Sequence, residues 1–525
     1  MSPTFAPRFT LGLTLGLSLG CALLSFLASP ALAQTLTVAL TADIRGTNPG
    51  VNRDDDTDTV TLHMVEGLVA YREGGTVAPM LAQKIEKSAD SLTYTFELRS
   101  GLTFHNGAPV TAEDVVWSWQ RYMDPKTDWR CRADFDGRNG LKVEAVEAVS
   151  PSTVRMRINE PSALFLFSLA RTDCGSVAVI HKDSLNADGS WKAPVGTGPF
   201  RFGEWRRGQY VLLTRFDGYK SLPGGLDGYA GGKRPLVQEV KFLVVPDPSS
   251  VKAGLVTGQI DVAEVLGSDV EQLKTERRVT LQAATTAGRN ALLFQTKDPV
   301  FSKPDMRRAL AAAIDLDQLV STVSAIETKP NASTIHASST YYSAAQKLTH
   351  RFDPALSTKL LAEAGYRGER LKITTNNRKS SPSFNIAVVL QAMFQNVGIN
   401  TDIDVVEWAT HMDRFLKGNY QMMVHSYSAR LDPALSFEHF TGPKSEQPRK
   451  VWDDPTAIDL LTQASRIENE PERQKIFDEL HKRMIEGTPL LMLFNRVEAW
   501  ATSARVSGFV PWESRARAWE VSVKP

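Results

Sequence analysis

The chain has 525 residues, with 60 Lys and Arg against 59 Asp and Glu, and 42% of its residues are hydrophobic. That near-neutral balance excludes the electrostatic footprint of a nucleic-acid binder, and the length implies at least two lobes with more than one core. HExxH, CxxC and P-loop motifs are absent and the nine histidines are scattered, so no catalytic centre, metal or cofactor is implied.

Residues 1–33 read as a cleavable secretory signal. Arg8 is the only charge, an apolar run extends from Phe9 to Leu27, and Ala31-Leu32-Ala33 fits a small-residue cleavage site. An uncleaved anchor and a lipidated Cys21 are the alternatives. Thr35 to Leu40 alternates as a strand. The acidic stretch of Asp54, Asp55, Asp56 and Asp58 is expected as a solvated loop, and Thr59 to Leu68 follows at helical spacing.

The most informative stretch is Leu92 to Pro125, LTYTFELRSGLTFHNGAPVTAEDVVWSWQRYMDP. Leu92, Tyr94, Phe96 and Leu98 alternate as a half-buried strand. Asn106-Gly107 is a turn, and Thr111 with Asp114 forms an acidic capping box. Val115, Trp119 and Tyr122 recur at helical spacing until Asp124-Pro125 stops the run. Export places Cys131 and Cys174 in an oxidising compartment, so a disulfide is expected, with two buried free thiols as the alternative. Lys142 to Val149 and Thr153 to Ile158 read as short strands, and Gly224 to Gly232 as a glycine-rich surface loop.

Further on, Ala291 to Phe294 reads as strand, and Ser302 with Asp305 as a second capping box. Leu371 to Thr375 and Asp402 to Trp408 read as strands around a helix from Phe384 to Val397, stopped by Gly398. A helix from Glu472 to Glu486 then leads into an apolar strand, Leu490 to Phe494. Strands alternating with helices imply an α/β lobe with ligand groups at strand ends.

Over Leu92 to Pro125 the pattern LxYxFxLRxGxxFHxGxPxTAEDVxxSxxRxxDP resembles the signature of periplasmic solute-binding proteins of the peptide/nickel family, the receptors of ABC importers. The blocks PVGTGPFRFGEW, from Pro194, and GRNALLFQTKDPVFSKPDMRRALAAAIDLDQLV, from Gly288, resemble the same family. The resemblance implies an α/β, two-lobed periplasmic-binding-protein fold of type II, in its large peptide-binding-like subclass, with a ligand cleft between the lobes. It implies a first lobe over 34–287 with an inserted subdomain near 70–190, a second lobe over 288–489, and a return to the first over 490–525. The function implied is that of an exported, non-enzymatic, monomeric receptor that captures a small-molecule or short-peptide ligand. The receptor would deliver it to a membrane-embedded ABC permease with its ATPase. A cleft-based hydrolase and a sensor or chaperone without transport are the rival readings.

The resemblance also nominates site residues. The first loop crosses the cleft in the family, which makes Arg45, Asn52 and Arg53 candidate contacts. Arg378, beyond the strand Leu371 to Thr375, stands where relatives pair an arginine with a peptide carboxylate. Trp408 is a cleft wall or core. In the run Tyr427-Ser428-Ala429-Arg430-Leu431-Asp432-Pro433, Arg430 occupies the place of the aspartate that holds a peptide's amino terminus in relatives. Either the ligand lacks that amine, or another acid such as Asp432 or Glu438 takes the role. Arg378 and Arg430 together imply a ligand with an anionic group. No nickel or haem role follows from His411, His425 and His439.

Overall fold

A computed structural model describes residues 34–524 apart from Arg53, Lys379 and Ser380. The signal expected in residues 1–33 and the candidate contact Arg53 lie outside the described residues.

Ten strands form one mixed sheet. In spatial order they are Thr401–Val405, Leu371–Thr375, Met422–Tyr427, Val279–Phe294, Leu490–Ser503, Val262–Val265, Thr35–Leu40, Glu239–Val244, Tyr210–Arg215 and Phe200–Arg206. The two long central strands, Val279–Phe294 and Leu490–Ser503, pair with each other and join the halves of the sheet. Their register shifts between Thr285 and Arg289 and again between Asn290 and Ala291. Before the shift Leu490–Ser503 also pairs with Val262–Val265; beyond it Val279–Phe294 pairs with Met422–Tyr427. Bulges of this kind bend a sheet and re-aim its side chains.

Each half has its own cores. Leu36, Val38 and Leu40 meet Val240 and Phe242 in the first. In the second, Leu292, Ile373 and Val424 lie under the helix Ser383–Asn396, whose Ile386, Leu390 and Met393 fall on one face by their spacing. A separate antiparallel sheet sets Thr93–Leu98 between Ala82–Lys87 and Thr153–Ile158, with Val143–Ser150 at the edge. Tyr94, Phe96 and Leu98 point into its core with Val115, Trp119 and Tyr122 of the helix Ala112–Met123. The expected capping box is formed, Thr111 N–H donating to the Asp114 carboxylate at 2.9 Å. Cys131 and Cys174 form a disulfide in this subdomain, Cα to Cα 5.7 Å. Closing a loop across a sequence separation of 43 is worth ~4 kcal/mol in the chain-entropy account.

Several local expectations are corrected. The acidic stretch is no solvated loop: Asp54 caps a short helix, Asp55–Thr61, and Asp58 is buried against Arg515 at 3.1 Å. The cation that allows this burial comes from the far end of the chain. Helix Pro304–Ala312 is entered through Lys303, with Pro304 at its first turn, and the Ser302 hydroxyl donates to the Pro299 carbonyl instead of capping. The strand expected to reach Trp408 stops at Val405, and Trp408 opens the helix Trp408–Lys417. Tyr229, within the glycine-rich run, is buried against Trp512 and Trp519.

Candidate ligand cleft

Leu371–Thr375 runs parallel to both of its neighbours, Thr401–Val405 and Met422–Tyr427. Three carboxyl ends therefore open on one side, and the segments that follow carry Arg378, Trp408 and Arg430. Ligands of open α/β sheets bind at such ends.

Arg378 is exposed and its guanidinium lies over the Trp408 ring, 4.6 Å from the centroid. Trp408 keeps 37% of its surface exposed and stacks on His411, one helical turn on, at 5.4 Å. His411 stacks in turn on His425, with Nε2 and Nδ1 3.2 Å apart, and His425 on Phe415 at 4.1 Å. Tyr427 meets His425 edge-on and stacks on His439 at 5.3 Å. The fourteen-residue spacing thus brings the three histidines into one buried column. Burial pushes His411 down to about 4 and His425 to about 3, so both are neutral at pH 7.

Arg289, on the crossing strand, is buried with no carboxylate partner among the described residues. It donates to the Ser436 hydroxyl at 2.8 Å, the carbonyls of Thr334 and Ser428, and His439 Nδ1 at 2.9 Å. Burial, then the charge of Arg430, pushes it down to about 9. Arg430 donates to the Ala429 carbonyl at 2.7 Å and to the Ser428 hydroxyl at 3.2 Å.

A pocket lies beside Arg430, with about 320 Å³ not filled by protein atoms and part of it open to solvent. One wall is the tip of the hairpin joining Val69–Tyr71 to Val77–Pro79, at Glu73, Gly74 and Gly75. Gly75 turns the chain at φ +84°, and a Cβ there would sit 3.4 Å from Leu431 Cβ, so first-half and second-half segments touch. The other walls are Ile335 to Ser339, Arg430 to Ser436, Ala287 at the register shift, and Glu513. Glu513 accepts the Ala287 N–H at 3.1 Å, and burial pushes its carboxyl up to about 7.

Of the nominated residues, this lining contains Arg430 and omits Arg378, Trp408, Tyr427, Arg45 and Asn52. Arg45 is exposed beside Asp54, 3.6 Å away. Its loop packs on the disulfide subdomain, where Gly50 meets the Cys174 carbonyl. Tyr427 is buried as a core ring. Asp432 cannot hold a ligand amine: both its oxygens take Arg473 N–H groups at 3.0 Å, both side chains are buried, and it also caps Ala434 N. Glu438 is likewise engaged; burial alone would raise it, but Lys450 and Arg449 hold it below the usual range. Sequence reasoning missed Arg289 and Glu513. Arg289 stands in the block from Gly288 and backs Ser436 of the lining, whereas Glu513 reaches the pocket from the turn between Trp512 and Arg515.

Two α/β halves joined by a pair of crossing strands, with a pocket lined from both, define a two-lobed solute-binding protein. Solved structures agree on the fold. The substrate-binding protein CtaP from Listeria monocytogenes superposes with a TM-score of 0.81 at 22% identity, over 94% of this chain and 99% of that one. AgaA from A. tumefaciens R10, solved with agropinic acid, gives 0.70 at 27% identity over 94% and 99%. Among curated relatives, heme-binding protein A of Haemophilus influenzae is 26% identical over 476 residues, 84% of this chain and 83% of that protein. A sequence model of the bacterial extracellular solute-binding proteins, family 5 (middle region), matches residues 76–447. The chain belongs to that family, which is made of binding proteins. No helix among the described residues is long and apolar enough to cross a membrane.

Proposed function

We propose that this chain is exported to the periplasm by the signal in residues 1–33, captures a small solute with an anionic group between its lobes, and delivers it to an ABC permease and its ATPase. It acts as a monomer and does no chemistry. The lobes are 34–287 with 490–525, and 288–489, the subdomain near 70–190 being inserted in the first. One observation carries the anionic class: Arg430 lines a pocket reached from both halves, backed through Ser436 by Arg289, a buried cation without a carboxylate partner among the described residues. Buried charges ordinarily have a counter-charge, and an incoming carboxylate supplies one. Arg378 and Trp408 form a stacked guanidinium–indole platform on the same strand ends and extend the site. The names of relatives span haem, peptides and agropinic acid, so chemistry in the pocket rather than kinship selects the solute.

The test is calorimetry with the solute that co-purifies from the native periplasm, identified by native mass spectrometry. Arg430→Asp should abolish its binding and leave the melting temperature nearly unchanged, because the side chain adds little to the core. Equal affinities for wild type and variant would place Arg430 outside the site.

A further inference from the structure

We infer that Glu468 is the clasp of a latch between the halves. With Lys87 and Tyr94 of the disulfide subdomain it holds the two halves together outside the pocket, and the strength of that clasp sets how tightly any solute binds. Only the two-lobed fold is required, not the charge of the solute. The first readout needs no solute, so failure here is distinct from failure of the anionic reading.

The subdomain belongs with the first half, since its core takes in Leu62, Leu68, Trp512 and Trp519. Two of its strands nonetheless reach across. Lys87 and Tyr94 are cross-strand partners, so both side chains can converge on one group. The Tyr94 hydroxyl donates to Glu468 Oε1 at 2.9 Å, and Lys87 pairs with Glu468 Oε2. Burial pushes Tyr94 up to about 12, so its hydroxyl remains a donor at neutral pH. Beyond the strand Thr153–Ile158, Glu160 pairs with Arg466 at 3.0 Å and the Ala163 N–H donates to the Ser465 carbonyl at 3.0 Å. Leu164 packs into the second-half core that holds Phe437 and Phe477.

The receiving side is held ready. Glu468 lies in the turn between helices Pro455–Arg466 and Glu470–Gly487, where Asn469 caps the second helix by accepting the Glu472 N–H at 3.0 Å. Arg473 takes the Ala464 carbonyl at the end of the first helix, and the following carbonyl, of Ser465, is the one that Ala163 takes. A helix end needs donors for its last carbonyls, and here one comes from the other half of the molecule.

The clasp is polar and reaches water: Lys87 and Glu468 keep 34% and 29% of their side-chain surface exposed. Polar contacts between lobes part more readily than dry ones. None of these groups lines the pocket. Parting the halves breaks these bonds and leaves the strands of each half paired. A protein whose binding-competent arrangement is a fraction of its population binds more weakly by that fraction. A clasp remote from the pocket therefore tunes affinity for every solute by the same factor.

Spin labels at Glu147→Cys in the subdomain and Lys482→Cys on Glu470–Gly487, both exposed positions, report the separation by double electron–electron resonance on protein dialysed free of solute. Wild type should show a populated short separation. Glu468→Ala removes both bonds and should lower the ratio of short to long separations about tenfold. Glu468→Gln keeps an acceptor for Tyr94 and should fall between. Lys87→Glu should also open the protein, and Glu468→Lys added to it should restore closure, which a merely structural role would not do. Both single Glu468 variants should melt close to wild type. Calorimetry then uses the solute released from wild-type protein saturated with the small-molecule fraction of its own periplasm. Its affinity should fall in Glu468→Ala by the ratio of the closed fractions just measured. Unchanged separations in Glu468→Ala, a charge swap that fails to restore closure, or an affinity that ignores the closed fraction would each overturn the inference. A large fall in melting temperature with separations unchanged would make the contact permanent packing and overturn it too. Each of these outcomes leaves the anionic reading standing, because Arg430 takes no part in the clasp.

Discussion

Arg473→Met should destabilise the second half of the molecule without touching the pocket. In the native fold the Arg473 guanidinium meets both Asp432 oxygens at 3.0 Å, the Ala464 carbonyl at 2.8 Å and the Tyr341 hydroxyl at 3.2 Å. The pair is almost wholly out of water, 2% exposed on the arginine side and 0% on the aspartate side. Methionine keeps the apolar stem but leaves a buried carboxylate held by one backbone N–H. Breaking such a pair from one side costs ~3–5 kcal/mol. For a unit of some 200 residues that lowers the melting temperature by roughly 10 °C. Differential scanning calorimetry measures this, and a transition that splits in two would locate the loss in one half. Asp432→Leu combined with Arg473→Met should recover much of the deficit, since no unpaired charge is then left behind. A single variant melting within about 2 °C of wild type would refute the reasoning. So would loss of solute binding by Asp432→Asn at unchanged stability, which would return Asp432 to the ligand.

Exported protein, unfolded without reductant, should expose no free thiol at Cys131 or Cys174, and alkylation of both would refute the bridge. His425 is held to about 3 by burial, His411 and Arg449, while an unfolded imidazole titrates near 6.5. Its neutral form therefore supports the fold above pH 6.5, and that support is lost as pH falls toward 3. His425→Phe should consequently lose less melting temperature between pH 7 and pH 5 than wild type does; an equal loss would count against the depressed value. Finally, a solute touching both the Gly74–Gly75 tip and Arg430 binds the closed arrangement best, so small-angle scattering should show a smaller radius on saturation. An unchanged radius would mean a cleft closed beforehand.

What the sequence made legible was periodic and local. Tyr94, Phe96 and Leu98 alternate, and the Thr111–Asp114 box needs three residues of separation; both were readable because neighbours along the chain decide them. The helix carrying Ile386 and Leu390 was readable for the same reason. The long crossing strands were visible only at their apolar tips, because Thr285 to Gly288 break the pattern at the shift. Val405 and Trp408 both look apolar and so suggest a strand reaching Trp408, whereas the strand stops at Val405 and a helix begins after Glu407. Asp58, Asp432 and Glu513 show the sharper limit. Arg515 sets the role of Asp58 and Arg473 that of Asp432, while Glu513 has no ion pair among the described residues, facts that reside in three dimensions.

The sheet also dictates an order of assembly. Val262–Val265 takes its antiparallel partner from residues 499–502 of Leu490–Ser503. Until that late segment is in place, the first half lacks a central strand and one wall of its core, where Ala499 and Ala501 pack against Leu255 and Ile260. Pairing across such a separation is slow to find, because loop-closure entropy must be overcome before the contact rewards it. The second half waits for the same strand, because Leu490 to Phe494 pair with Asn290 to Leu293 and enter both of its cores. Truncation just before Leu490 should therefore leave both Val279–Phe294 and Val262–Val265 as open sheet edges, a natural target for chaperones and proteases.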